Sequence, residues 1–266
     1  MQKTMRKLLR AVAGYDPTYY DMYADPNEAF FGRLYLARIL HEAAEAEIRS
    51  PSSILDAGCQ AGRLAIPLAQ EGFRVTGIDT SSFALRRATH HAKAASVTLT
   101  LEQGDIAEVL QDHPHWQYDL VVCAEVLYQS AGYRDILEAL VKAVRPGGLL
   151  CVSHRPSVYY LIEALRHRDW ATARLVLSAE EGHFEGPFPE RGYYNWQTEE
   201  SLRALYKGLG MQWVALYPID RYARLSGLSP SQLTSEQRDE WLQMELQEAG
   251  DTGICARYLL VVASRP

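Results

Sequence analysis

Short apolar runs, each closed by an acidic or small residue, alternate along this chain with stretches whose apolar positions recur at helical spacing. Ser53-Ile54-Leu55 ends in Asp56, Ala57 to Gly62 supplies turn positions, and a helix is predicted from about Arg63 to Glu71. Pro67 falls near its first turn, where a missing N–H costs little, and Gly72 stops it. A second apolar run, from Phe73, ends in Asp79, 23 residues after Asp56. Val97–Leu101 reads as a third strand with Gly104-Asp105-Ile106 behind it, and the run from Tyr118 to Ala124 as a fourth, closed by Glu125. Apolar residues at 136, 137, 140, 141 and 144 mark a helix, and Arg145-Pro146-Gly147-Gly148 turns into a fifth strand, Leu149–Ser153. Thr198 caps a helix whose apolar face is Leu202, Leu205, Tyr206 and Leu209, and Gly210 ends it. Two β-rich runs follow, Met211–Ile219 and Cys255–Val262. Strands alternating with helices predict an α/β fold with a doubly wound, mostly parallel sheet.

The first strand–turn–helix–strand unit also predicts a ligand. Gly58 and Gly62 let the backbone turn tightly while a bound molecule comes close, and the following helix points its amino end at that molecule. Asp79, at the end of the second strand, is placed to accept from both hydroxyls of a ribose. A dinucleotide fingerprint demands glycine where Gln60 and Arg63 stand, and the Gly-Lys-Ser/Thr of a phosphate loop is missing. The turn instead resembles motif I of class I S-adenosylmethionine (SAM)-dependent methyltransferases, Asp-x-Gly-Cys-Gly-x-Gly, with Gln60 in place of the middle glycine. The resemblance is dense over residues 52–154 and looser over 198–220 and 254–264. It implies a seven-stranded, mostly parallel sheet with an antiparallel last strand, and SAM as cofactor. It implies further that Asp56, Gly58, Cys59 and Gly62 form the cofactor loop and that Asp79 and Thr80 meet the ribose. Asp105 would accept from the adenine amino group while the Ile106 N–H meets a ring nitrogen, and Cys123 and Glu125 would face the methionine portion.

Three segments lie outside the shared sheet and are expected to set substrate choice. Residues 1–50 form a helical cap in which Tyr15, Tyr19, Tyr20 and Tyr23 cluster; Tyr20 is the expected cofactor contact, because a tyrosine face attracts a sulfonium. The rest, 51–266, is the SAM-binding domain with insertions at 155–197 and 220–253. The first insertion is too long for an ordinary connection of ~2–6 residues. It is predicted to hold helices Val158–Arg166 and Trp170–Leu177, then an aromatic loop, and to act as a lid. In the second, Thr234 and Gln237 have capping-box spacing, and a lid wall or a dimer surface are the alternatives.

If the acceptor is a hydroxyl, a proton must leave, and His154 beyond the fifth strand is the first candidate base, with Tyr128 second and His183 behind them. Asp112, His113 and His115 lie in a loop away from the ligand rim, so no metal is expected. Composition adjusts the picture only in part. A net charge of −6 without a basic run beyond Arg10 argues against nucleic acid and for a small-molecule acceptor. The Asn-Pro-Pro-Tyr type of motif used on flipped bases is missing after the fourth strand, where Cys123-Ala124-Glu125-Val126 stands. An RNA or protein methyltransferase and a SAM-binding protein that transfers nothing are the competing readings. Cys59, Cys123, Cys151 and Cys255 fall in or beside predicted core strands and are expected as reduced, buried thiols. No run approaches ~18 apolar residues, and Arg10 interrupts the apolar core a signal peptide needs. The expectation is a cytoplasmic monomer or homodimer beginning with a basic amphipathic helix.

Overall fold

The computed structural model describes residues 20–187, 190–247 and 256–266. The basic amino-terminal helix, Tyr15, Tyr19 and Cys255 lie outside them. The strands are β1 (Ser53–Ala57), β2 (Arg74–Asp79), β3 (Thr100–Gln103), β4 (Tyr118–Cys123), β5 (Val144–His154), β6 (Glu181–Phe184), β7 (Gly192–Asn195), β8 (Gln212–Ile219) and β9 (Tyr258–Ser264). The first half contains helices α1 (Pro26–Glu45), α2 (Ala65–Gln70), α3 (Ser82–Ala94), α4 (Ile106–Asp112) and α5 (Tyr133–Ala143). The second half adds α6 (Ser157–Arg166), α7 (Trp170–Ser178), α8 (Glu199–Gly208), α9 (Ala223–Ser226) and α10 (Ser235–Gln247).

Seven strands make one sheet in the order β3-β2-β1-β4-β5-β9-β8. β1 to β5 pair in parallel, and β9 runs antiparallel to both β5 and β8. This is the doubly wound arrangement expected from the sequence, with its switch point between β1 and β4, where open α/β sheets bind ligands. Both faces are buried, so alternate residues of one strand serve different layers. Leu149 and Cys151 of β5 face Phe30, Leu34 and Ile39 of α1, whereas Leu150 and Val152 face Leu137, Leu140, Leu202 and Tyr206 of α5 and α8.

α1 forms because Asp25 caps it, accepting from the N–H groups of Asn27 and Glu28, and Pro26 sits where no N–H is needed. The 220–247 segment braces this helix. Asn27 accepts from the Ser229 hydroxyl at 2.8 Å and the Ser231 N–H at 2.9 Å, and Trp241 packs on Phe30 with centroids 5.0 Å apart. The expected capping box holds α10, with Thr234 and Gln237 bonded reciprocally at 3.0 and 3.2 Å.

Local boundaries differ from the expectations in several places, β5 starting at Val144 and β9 ending at Ser264 among them. β3 begins at Thr100, not Val97, and α2 is shorter than predicted. The aromatic loop is instead a β-hairpin, β6 with β7, whose inward residue Tyr194 stacks on Phe184 at 5.1 Å. Trp196, just after β7, stacks on Phe184 at 5.3 Å and donates its indole N–H to the Ala179 carbonyl at 2.6 Å. With Tyr159, Tyr160 and Val176 of α6 and α7, these rings give the insertion its own apolar core.

Candidate cofactor and acceptor site

A cavity of about 520 Å³ opens at the switch point, within the ~300–1,000 Å³ usual for small-ligand sites. Its floor is the β1–α2 loop. Gly58 has φ +82° and Gln60 φ +46°, so this turn runs through left-handed backbone. A Cβ on Gly58 would lie 2.3 Å from Cγ2 of Val126, itself a lining residue. Glycine is therefore required by the neighbouring β4 loop. Gly62 does not line the cavity; a Cβ there would meet Ile66 at 2.7 Å, so its role is the packing of α2.

Acids from three successive strand ends meet in this cavity. Asp56 is buried with Oδ2 unpartnered, and burial pushes its carboxyl up to about 7, against the pull of Arg63 and the Ala65 N–H. Asp79 accepts from the Gln60 N–H on one oxygen and the Ser81 N–H on the other, at 2.9 and 2.8 Å. A carboxylate has about four lone-pair directions, so each oxygen retains room for a hydroxyl donor. Asp105 caps α4 through Oδ1 alone, and the Ile106 N–H belongs to the first turn, where no helical carbonyl reaches it. Thr80 and Cys59 complete this side of the lining.

On the other side stands Arg63, a residue the sequence reading passed over. It is 8% exposed and donates to Glu28 of α1 at 2.7 Å and to Glu125 beyond β4 at 2.9 Å. Glu125 adopts φ +62° and donates its N–H to the Ser153 hydroxyl at 2.6 Å. Burial raises the Glu28 carboxyl, with the Glu125 charge adding to it. For Glu125 burial is outweighed by Arg63, Arg257 and Arg155, so its carboxyl is lowered and it carries the charge of the pair.

The segment before α1 forms part of the roof. Met22 lines the cavity, and its N–H donates to the Gln60 side chain at 3.1 Å. Asp21 accepts from Arg87 at 2.8 Å and pairs with His91 at 2.9 Å, both on α3; these bonds outweigh burial and lower its carboxyl. Gln60, the departure from the family's loop pattern, thus ties the roof to the floor. Tyr20, the expected contact, does not line the cavity and is 51% exposed. Met22, two residues on, stands in the cavity wall where Tyr20 does not.

Three other expectations are corrected. Cys123 points into the layer of α5 and α8 and does not reach the cavity. His154 is 1% exposed and faces α8, where Nε2 lies 2.9 Å from the Tyr206 hydroxyl. The cause is strand alternation: Ser153 faces Glu125, so the next residue points the opposite way. Tyr128 is absent from the cavity lining and stacks on Tyr194 at 6.3 Å, beside Arg155. Among the described residues no group of three or more His, Cys, Asp or Glu side chains converges to hold a metal.

Burial pulls the His154 pKa down to about 4, against the influence of Gln197. The unfolded chain then takes up a proton near pH 6.5 that the folded chain refuses until about 4. This contribution to stability is full above pH ~6.5 and lost as the pH falls toward 4, for about 3 kcal/mol at ~1.4 kcal/mol per unit. His154→Gln should therefore flatten the stability profile between pH 6.5 and 4.5 in urea unfolding. An unchanged slope would mean that this imidazole is not the titrating group.

Known proteins share both sequence and fold with this chain. The model of a methyltransferase domain matches residues 29–216, which is 188 of 266 residues. The ubiquinone biosynthesis O-methyltransferase of Rickettsia akari is 36% identical over 104 residues, covering 39% of this chain and 40% of that protein. The one from Sodalis glossinidius is 38% identical over 96 residues, covering 36% and 38%. The chain thus spans about two fifths of the length of these curated relatives. Magnesium protoporphyrin IX methyltransferase from Synechocystis, solved with S-adenosylhomocysteine, superposes with a TM-score of 0.60 over the whole of both chains at 16% identity. An S-adenosylmethionine-dependent methyltransferase from Clostridium acetobutylicum gives 0.57 over 99% and 98% at 11% identity. With the strand order and the cavity at its switch point, these matches place the protein in a family: the chain belongs to the methyltransferase-domain family, in its class I, Rossmann-like form.

Proposed function

We propose that this chain transfers a methyl group from SAM to a small-molecule acceptor, with oxygen as the accepting atom. One observation carries the cofactor: acids at three adjacent strand ends, Asp56, Asp79 and Asp105, line one cavity with spare acceptor capacity. A nucleoside with an amino group and two vicinal hydroxyls satisfies that set. Oxygen as acceptor rests on the relatives, which are named as O-methyltransferases. A small acceptor is supported by the net charge of −6 and by the size of the cavity, about 520 Å³. Among the described residues no helix is long and apolar enough to cross a membrane. A cytoplasmic location and a monomeric or homodimeric state belong to the same reading.

SAM when bound supplies a methyl group on a cationic sulfur, open to in-line displacement. The chain's own residues do the rest. Asp79 orients the ribose, Asp105 and the Ile106 N–H select adenine, and the ionised Glu125 places negative charge in the wall of the methyl-donating end. Among the described residues lining the cavity there is no histidine. The reading therefore assigns most of the acceleration to positioning, the effect of holding reactants at near-attack distance.

Asp79→Ala leaves two hydroxyls without their acceptor and should weaken S-adenosylhomocysteine binding by about 1–3 kcal/mol. Isothermal calorimetry on the folded variant reads this directly. A dissociation constant equal to that of the wild type would mean that the ribose lies elsewhere.

A further inference from the structure

Exposed apolar side chains gather on the α6–α7 pair. Of the eight large apolar side chains exposed among the described residues, four stand here: Val158, Leu165, Trp170 and Leu177. Trp170 and Leu177 are 61% and 72% exposed, more than any of the other six. Helix period sets how they are arranged. Trp170, Arg174 and Leu177 follow one another at i, i+4 and i+7 along α7, and Val158 and Leu165 stand seven apart on α6. Tyr159, Tyr160 and Val176 turn the other way, into the insertion's own core.

The turn between the two helices carries charge of one sign to the surface. From Leu165 to Ala171 every residue is exposed except Asp169. Asp169 is turned inward and caps α7, accepting from the Thr172 N–H at 3.0 Å and the Thr172 hydroxyl at 2.8 Å. The other acid of residues 157–178, Glu163, is also buried and pairs with Arg166 at 3.1 Å. The exposed charges of the pair are therefore the guanidinium groups of Arg166, Arg168 and Arg174. The next exposed acids, Glu180 and Glu181, follow α7 and meet Arg134 and the Tyr193 hydroxyl. This cationic surface belongs to a chain whose net charge is −6.

We propose that the tip and outer side of the α6–α7 pair dock on an anionic lipid surface. Trp170 and Leu177 enter the boundary between headgroups and acyl chains, and Arg168 and Arg174 meet the lipid phosphates. Exposed Trp and Leu beside Arg, with the acids withdrawn, is the composition that favours such a boundary. A second copy of the chain fits less well, because a two-fold contact would set the arginines of this segment against one another. The contact is peripheral, since helices of 10 and 9 residues fall far short of the ~20 that a span requires. It concerns where the chain works and stands independently of the reaction proposed above.

The test is co-sedimentation of the full chain with vesicles of phosphatidylcholine, alone or with about one third phosphatidylglycerol. Affinity for the anionic vesicles should exceed that for the neutral ones by at least about tenfold and fall with added salt, since each arginine near such a surface contributes roughly fivefold. Trp170→Ser with Leu177→Ser should weaken binding to anionic vesicles at least about tenfold. Arg168→Gln with Arg174→Gln should erase the preference for anionic lipid. All four positions are exposed, so both variants should melt within about 2 °C of wild type. Leu177→Ser alone, at the most exposed of these positions, serves in place of a double variant that melts lower. Wild-type protein that stays in the supernatant, or that binds neutral and anionic vesicles alike, overturns the proposal. Binding that survives both double variants overturns it as well, because the lipid contact then lies elsewhere on the chain. A lipid-free dimer in sedimentation velocity that Trp170→Ser with Leu177→Ser dissociates assigns the surface to a second copy and overturns it too.

Discussion

Arg63→Met should lower stability by about 3–5 kcal/mol, because it leaves Glu28 and Glu125 buried around a vanished charge. For a chain of this length that is a fall in melting temperature of roughly 6–20 °C. Two features raise the cost. Glu125 is held at φ +62°, and Arg63 is the largest of the charges that lower its carboxyl, so the substitution leaves burial to act on that group. The arginine stem also supports α1, since a Cβ on Gly32 would lie 3.1 Å from its Cγ. Adding Glu28→Gln and Glu125→Gln to Arg63→Met should recover part of the loss by removing the stranded charges. A melting temperature within about 2 °C of wild type for Arg63→Met alone would show that the two carboxylates find water or a proton at little cost.

Gly58→Val should abolish measurable S-adenosylhomocysteine binding, a loss of at least about a hundredfold or ~2.7 kcal/mol. A β-branched residue at φ +82° is strained by ~1–2 kcal/mol before any contact is counted. Its Cβ then meets Cγ2 of Val126 at 2.3 Å and must push the β4 loop into the cavity. The cause can be separated from direct obstruction of the ligand. Cβ of Val126 lies 3.5 Å from the same point, so Val126→Ala removes the clash and leaves ordinary contact. Gly58→Ala with Val126→Ala should therefore bind better than Gly58→Ala alone. Equal weakness of the two would place the ligand itself against Gly58.

What the chain discloses without its structure follows from how local each signal is. Strand ends closed by an acid, the glycines of the β1–α2 turn and the capping residue Thr198 act within a few residues, and Asp56, Asp79 and Asp105 line the cavity accordingly. The order of the sheet follows from the same alternation. Contacts across long separations left no such trace. Arg63 reads as an ordinary helix residue until Glu28, 35 positions earlier, and Glu125, 62 later, are seen beside it. Met22 and Gln60 are joined across 38 positions. His154 and Arg155 carry equal promise in a sequence, and only the parity of β5 sends one to α8 and the other to the tyrosines. The β6–β7 hairpin was hidden by Gly186 and Pro187 at its turn, although its alternating aromatics were in view.

The insertion between β5 and α8 begins and ends at one point. The Gln197 N–H donates to the Arg155 carbonyl at 3.0 Å, and the Ser157 N–H donates to the Gln197 carbonyl at 3.0 Å. Between them the rings of Tyr159, Tyr160, Phe184, Tyr194 and Trp196 pack on one another, and Tyr128 and the Leu127 carbonyl hold β7 from the sheet side. Such a segment behaves as a cassette: its closure entropy is nearly independent of what lies inside, since doubling a loop costs only about 0.6 kcal/mol. A lineage can lengthen, shorten or exchange it without disturbing the strands that carry the acid-ended turns. The two hydrogen bonds between Arg155, Ser157 and Gln197 thus fix where the insertion leaves and rejoins the sheet, whatever its interior contains.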